Sequence, residues 1–240
     1  MSIKINTHSI ISKLYSNGGD VTKEIVAIFH AKFLNFVRNP YSIKKVLNTF
    51  SSLKDLYPTN LIHYESFRRV LDGKKPHQSY LCKILGVSNI EYEEWLGIIF
   101  LLLVDFKNNS SNMFEEIVGQ IFTESNKFVF GEVYTYDDKS CLLSDRGYSN
   151  IYTEDCTSLM VWDFNLYSNG FIRYIFGNVD DLAPSNVPKE IIELYKLQSS
   201  KRIDFYWRKN DYHALERYNK NVIYQCYEKV FSSSDEVYGL

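Results

Sequence analysis

The sequence predicts an α+β protein: an all-helical domain over residues 1–124, then a domain over 125–240 built on an antiparallel sheet with two helices. Three observations carry this reading. Apolar residues recur at helical spacing as far as Phe122, they alternate from Phe128 onward, and the change falls near Ser125. A length of 240 residues favours two domains. With 45% hydrophobic and 23% charged residues, the composition excludes disorder and low-complexity assembly. The 19 Tyr, 16 Phe and 3 Trp supply large rings for cores, interfaces or pockets.

In the first domain, Ile10, Ile11 and Leu14, then Val21, Ile25, Val26, Phe29, Phe33, Leu34, Phe36 and Val37 follow helical spacing until Asn39-Pro40 ends it. Ser42 is the expected N-cap of a helix carrying Ile43, Val46, Leu47 and Phe50. Pro58-Thr59-Asn60 breaks the chain, and a helix then runs over about 59–71, with Gly73 expected to close it in a left-handed conformation. Pro76 opens the next helix, which reaches Leu85 with Gly86 after it. Two more helices are expected near 90–106 and 112–122, around the loop-like 107–112. In the second domain, strands are expected over 128–136, 159–164, 171–176 and 202–207. Helices are expected over 188–197 and 212–231.

The net charge of −2 conceals a division along the chain. Residues 1–85 hold 13 Lys and Arg against 5 Asp and Glu, a net of +8, whereas residues 86–240 hold 14 against 24, a net of −10. Such asymmetry points to a half that faces nucleic acid or membrane, because basic residues gain affinity for phosphates through counterion release. The most apolar run, 98–104, is far shorter than the ~20 residues a bilayer requires. The first residues lack the apolar core of a secretory signal. Cys82, Cys141, Cys156 and Cys226 are scattered, without metal-ligand spacing. They fit free thiols of a reducing cytoplasm, with no zinc site and no cofactor expected.

One segment carries more information than its surroundings. Residues 63–76 read His-Tyr-Glu-Ser-Phe-Arg-Arg-Val-Leu-Asp-Gly-Lys-Lys-Pro, followed by Leu81, Ile84-Leu85-Gly86-Val87, Tyr92 and Trp95-Leu96. This segment resembles the helix-turn-helix of the lambda-repressor-like, phage-repressor type of DNA-binding proteins. The resemblance implies that Phe67, Val70 and Leu71 anchor a recognition helix whose other face enters the major groove. It implies base contacts from His63 and Tyr64, with Ser66 and Arg68 as further contacts. Arg69, Lys74 and Lys75, with Lys44 and Lys45, would then meet phosphates. Proteins of this type read two half-sites as dimers.

Other constellations are weaker. The adjacent acids Glu93-Glu94, Asp137-Asp138 and Asp180-Asp181 diverge from one another, as neighbours on a helix or strand do. Asp204, Asp211, His213 and Glu216 are a conceivable metal or acid–base neighbourhood near a helix start, where acids are ordinary. No phosphate loop, G-x-S-x-G or H-E-x-x-H occurs. Alternating aromatics in the second domain form either a core or a pocket for a small molecule or peptide, with Tyr134, Trp162, Phe164 and Tyr174 as the candidate lining. The closing helix, with Leu215, Tyr218, Val222, Tyr224 and Tyr227, is a candidate dimer face.

The expectation is a cytoplasmic, non-enzymatic, sequence-specific regulator of transcription. It would bind double-stranded DNA as a homodimer, away from membranes, with a C-terminal domain for ligand sensing or self-association. The alternative is a protein-binding immunity or toxin-neutralising module whose acidic half covers a basic partner. An enzyme using the Asp204, Asp211, His213 and Glu216 neighbourhood is the third class.

Overall fold

A computed structural model describes residues 21–105, 112–151, 159–199 and 203–240. The expected features at Ile10, Ile11, Leu14 and Cys156, and most of the 107–112 loop, lie outside these residues. The chain divides into two compact units, one of residues 33–119 and one of 120–240 together with the segment up to Lys32. The break expected near Ser125 lies close to the boundary after Gly119. The boundary after Lys32 has no counterpart in the sequence reading, because it interrupts an unbroken helical pattern.

The first unit is helical. Helix α1 (Thr22–Arg38) supplies Phe33, Phe36 and Val37 to its core. Asn39 then accepts a hydrogen bond from the Tyr41 N–H at 3.0 Å and starts a 3-10 turn over Pro40–Ser42. That turn leads directly into α2 (Ile43–Thr49), where Ser42 holds the expected N-cap position but its side chain makes no capping bond; the side-chain cap is Asn39, at the start of the preceding turn. After a second 3-10 turn at Ser51–Leu53, the Asn60 side chain caps α3 (Leu61–Asp72), accepting from the Ile62 N–H at 2.9 Å. Helices α4 (Gln78–Leu85), α5 (Asn89–Leu103) and α6 (Met113–Thr123) follow. Helix α5 carries the centre of the core. Its Trp95 ring N–H donates to the Val37 carbonyl at 2.9 Å, and Gly97 leaves room for the Phe67 ring of α3.

Gly73 does not adopt the expected left-handed conformation. It is extended (φ −65°, ψ 158°), and glycine is required there because a Cβ would stand 2.7 Å from the Arg69 carbonyl oxygen.

The second unit is built on a five-stranded sheet of order β3-β4-β5-β1-β6. Its strands are β1 (Lys127–Thr135), β3 (Ser149–Ile151), β4 (Leu159–Tyr167), β5 (Gly170–Asn178) and β6 (Asp204–Lys209). The sheet is mixed, not antiparallel throughout, because β6 pairs parallel to β1. After β5 the chain passes through α7 (Val179–Leu182) and α8 (Lys189–Ser199) to the edge beyond β1. Running opposite to β5, β6 must run with β1, which lies between them.

Among the described residues three helices, not two, follow β5, the last being α9 (Tyr212–Gln225). The closing helix stops short of the expected Phe231. The Asp145 carboxylate accepts from the N–H groups of Tyr227, Glu228 and Lys229 at 2.7–2.9 Å, which draws the chain out of the helix. It then enters β7 (Val230–Phe231), paired with β2 (Leu143–Ser144).

Alternation along the strands divides the apolar side chains between two faces. On one, Phe29 of α1 meets Phe164, Tyr174 and Phe176 edge-on at 5.0–6.1 Å, and the Tyr174 hydroxyl donates to the Ile25 carbonyl at 2.8 Å. On the other, α9 buries Ala214, Leu215, Tyr218 and Val222 against Tyr134, Tyr136 and Phe171. Tyr218 stacks on Phe171 with ring centres 4.1 Å apart.

The α9 face also carries a row of charge across the sheet. Register places Asp163 of β4, Arg173 of β5 and Glu132 of β1 side by side. Arg173 forks onto Asp163 with both bonds at 2.8 Å, and Arg208 of β6 reaches Glu132 at 3.1 Å. The Tyr134 hydroxyl donates to the same Glu132 carboxylate. Asp163 is fully buried. Burial pushes its carboxyl up, and the paired guanidinium opposes that push.

Truncating one member of a buried ion pair strands the other charge. Asp163→Ala is therefore expected to cost ~3–5 kcal/mol of stability in urea unfolding, whereas Asp163→Leu with Arg173→Met should recover most of that loss.

Candidate nucleic-acid interface

The residues singled out in the sequence gather around α3, but most are engaged within the protein. Arg68 pairs with Asp72 at 2.9 Å and Arg69 with Glu65 at 3.6 Å, each one turn along the helix. The Ser66 hydroxyl donates to the Ile62 carbonyl at 3.0 Å. His63 is half-buried, and Tyr64 is exposed with its ring edge against Tyr57. Leu61 and Ile62, at the helix start, are 70% and 71% exposed. The outer surface of α3 is thus apolar and internally neutralised. Between Thr49 and Leu61 the chain contains only the short 3-10 turn and no α-helix, so no tight helix-to-helix turn precedes α3.

Lys44, Lys54 and Lys75 have acidic neighbours. Lys75 is only 12% exposed; its ammonium donates to the Leu71 and Gly73 carbonyls, capping α3, and lies 3.9 Å from Glu93. Lys54 lies 3.6 Å from Glu94. Lys44 is exposed beside Gly86, Lys45 is half-buried, and Lys74 is exposed. The Glu91 carboxyl is held below its usual range by the Ser88 backbone and side chain, with Lys44 and Lys54 adding to the effect. Over residues 33–119 there are ten Lys and Arg against nine Asp and Glu. The +8 of residues 1–85 therefore does not describe the helical unit.

The tight turn lies one helix later. Helices α4 and α5 are joined by Gly86-Val87-Ser88 alone. Gly86 is left-handed (φ 58°, ψ 44°), and the Val87 N–H donates to the Cys82 carbonyl at 3.1 Å, closing α4. Leu85 and Val87 are buried on either side of the glycine, fixing the angle of exit. Ser88 and Glu91 then form a reciprocal capping box: the Glu91 N–H donates to Ser88 Oγ at 3.1 Å, and the Ser88 N–H donates to Glu91 Oε2 at 2.7 Å.

Across this turn the side chains of Gln78 and Asn89, the first residues of the two helices, meet at 3.2 Å, with Nε2 donating to Oδ1. Asn89, Ile90 and Glu93 are exposed at the start of α5, and Lys83 is exposed on α4. Neither Gln78 nor Asn89 was singled out from sequence. The available signal was the run Leu85-Gly86-Val87-Ser88, which reads as well as a turn into a helix as it does as a helix end.

The candidate ligand lining is not a pocket. Tyr134 lies on the α9 face, whereas Trp162, Phe164 and Tyr174 lie on the α1 face, because their strand positions have opposite parity. All four are packed in the core. An apolar cleft of about 340 Å³ lies elsewhere in that unit, among Phe128, Val179, Leu182, Pro184, Ile191 and Tyr195. Leu215, Tyr218 and Val222 are buried against their own sheet, so that face of the closing helix is not available to a second copy, while Tyr224 is exposed.

Asp211 caps α9, accepting from the Ala214 N–H at 3.0 Å. Glu216 pairs with Lys220 at 2.5 Å, and the Asp204 side chain is outside what the structure describes. Among the described residues no cluster of His, Cys, Asp and Glu could hold a metal, and no helix is long and apolar enough to cross a membrane. Comparison with family models, curated proteins and solved structures finds no match.

The left-handed turn sets the geometry of α4 against α5. Gly86→Ala is expected to lower stability by ~1–2 kcal/mol in thermal or urea unfolding, and Ser88→Ala by ~1 kcal/mol through loss of the cap.

Proposed function

We propose that the chain is a sequence-specific DNA-binding regulator of transcription, reading DNA through α4, the Gly86 turn and the start of α5. The observation that carries this reading is the amide pair of Gln78 and Asn89, which joins the first residues of two helices across a three-residue turn. A helix that follows such a turn can enter the major groove N-terminus first while its predecessor crosses the backbone. The Asn89 amide, steadied by Gln78, has the donor and acceptor needed for an adenine edge. Ile90, 70% exposed, suits a thymine methyl group, and Glu93 can accept from a cytosine amine. Lys74 and Lys83 are exposed close to this element in sequence and supply phosphate contacts.

This assignment moves the base-reading role from α3 to α5, and α3 becomes the helix that supports α5 through Phe67. Near-neutral charge over residues 33–119 implies few phosphate contacts and a shallow dependence on salt. The exposed Leu61 and Ile62, with Leu56 and Tyr57 nearby in sequence, favour a second reading: a protein-binding module with no affinity for DNA.

Selection from random genomic fragments, followed by sequencing, separates the two. Enrichment of a defined site is expected. Asn89→Ala should relax one base position by ~1–3 kcal/mol, while Arg68→Ala should leave the preference unchanged. Lys74→Ala or Lys83→Ala should weaken binding to all sequences and reduce the salt slope by about 1 each. Retention without enrichment, or no retention, contradicts the regulator reading.

A further inference from the structure

The cleft bounded by α7, α8 and the start of β1 has room for a ligand, and we infer that it takes an uncharged, flat molecule of about two fused rings. Its volume is about 340 Å³, within the range of small-molecule sites. Nine residues line it, and eight of them carry no polar atom in the side chain; Tyr195 is the ninth. Walls of this kind offer no counter-charge, so they select against a ligand that would bring an ionised group inside. An apolar cavity of ~150 Å³ holds one benzene ring, which makes roughly two rings the matching size here.

The preference for a flat ligand comes from Phe128. Its ring is held within 10° of parallel to that of Phe130, at 6.2 Å between centres, and gives the cleft a fixed aromatic wall on which another ring can stack. The other walls are aliphatic, Val179, Leu182, Ile191 and Ile192 among them. Contacts outside the cleft hold these walls in place. The Asn178 side chain accepts from the Asp180 N–H at 3.2 Å and caps α7, and Leu182 lies over Gly177 of β5. Asp180 also pairs with Lys196 of α8 at 2.7 Å, which ties the two helices together. The link between them is closed by the Val187 N–H, which donates to the Pro184 carbonyl at 2.9 Å. Ile191 is 55% exposed, so a bound ring would also remove apolar surface from water at the rim.

This inference concerns the second unit alone and stands or falls independently of DNA binding. Methyl and amide NMR spectra of the full chain, titrated with naphthalene, test it. Saturable shifts are expected at Val179, Leu182, Ile191 and Ile192 within the solubility of naphthalene. 2-Naphthoate carries the same rings with a carboxylate and should bind at least about tenfold more weakly. Ala183 lines the cleft, so Ala183→Phe puts a ring inside it and should abolish the shifts while thermal unfolding stays close to that of the unsubstituted chain. If that variant does not fold, Ile191→Asp decides: a charge at this exposed position should weaken naphthalene binding by at least about tenfold. Leu194→Ala, on α8 but outside the lining, should leave binding unchanged. No saturable shift, shifts centred on other residues, equal binding of 2-naphthoate, or binding indifferent to the cleft substitutions each overturns the proposal. So does a change at the same residues on raising the protein concentration alone, which would give the cleft to a second copy.

Discussion

A carboxylate buried to the last atom needs a counter-charge in place, and the sheet is arranged around that requirement. Asp163 meets it with both arms of the Arg173 guanidinium on the adjacent strand. A one-residue slip between β4 and β5 would turn Asp163 toward the opposite face, among Phe29, Tyr174 and Phe176, and leave Arg173 without its partner. Glu132 and Arg208 extend the same logic through β1 to the edge strand. Hydrophobic alternation alone tolerates several pairings, so the charged row supplies the discrimination between them. The attraction within such a pair is largely offset by the cost of desolvating both charges, so its effect lies more in choosing the register than in stability.

The helical unit depends on a different constraint, the direction in which α5 leaves α4. A glycine that can adopt φ of 58°, two buried residues flanking it and the reciprocal cap between Ser88 and Glu91 determine that direction. The exposed starts of both helices are therefore held rigidly, which is what a reading surface needs. The acids of the first α5 turns face lysines from α2, from the segment after it and from the link between α3 and α4. Within the helical unit, basic residues from before Gly86 and acids from after it thus lie side by side. An argument from charge asymmetry holds only if the halves compared are also the folded units, and here they are not.

Much of the fold was legible because the relevant periodicities are long. The helical spacing through Phe29 and Phe36 and the alternation through Phe128, Phe130 and Tyr134 each persist over enough residues to be unambiguous. β2 and β7 were not legible, since two-residue strands have no period, and the early end of α9 depends on Asp145, far away in sequence. The direction of β6 follows from topology and leaves no mark on its own residues. For the candidate site, Gly73 and Gly86 looked alike as helix terminators. They differ in the carbonyl of Arg69 beside one and in the buried Val87 after the other, neither of which is visible in composition or spacing. The aromatic lining failed for a simpler reason: residues from opposite faces were grouped because they were all rings.

The central claim is that DNA is met by the start of α5 and not by α3. Amide chemical-shift mapping of the full chain on titration with a short duplex of arbitrary sequence at low salt tests it most directly, because phosphate contacts suffice to locate the surface. The account predicts shifts concentrated at Gln78, Lys83, Gly86, Asn89, Ile90 and Glu93, with residues 61–69 unmoved. Shifts centred on residues 61–69, or none at all, would contradict it.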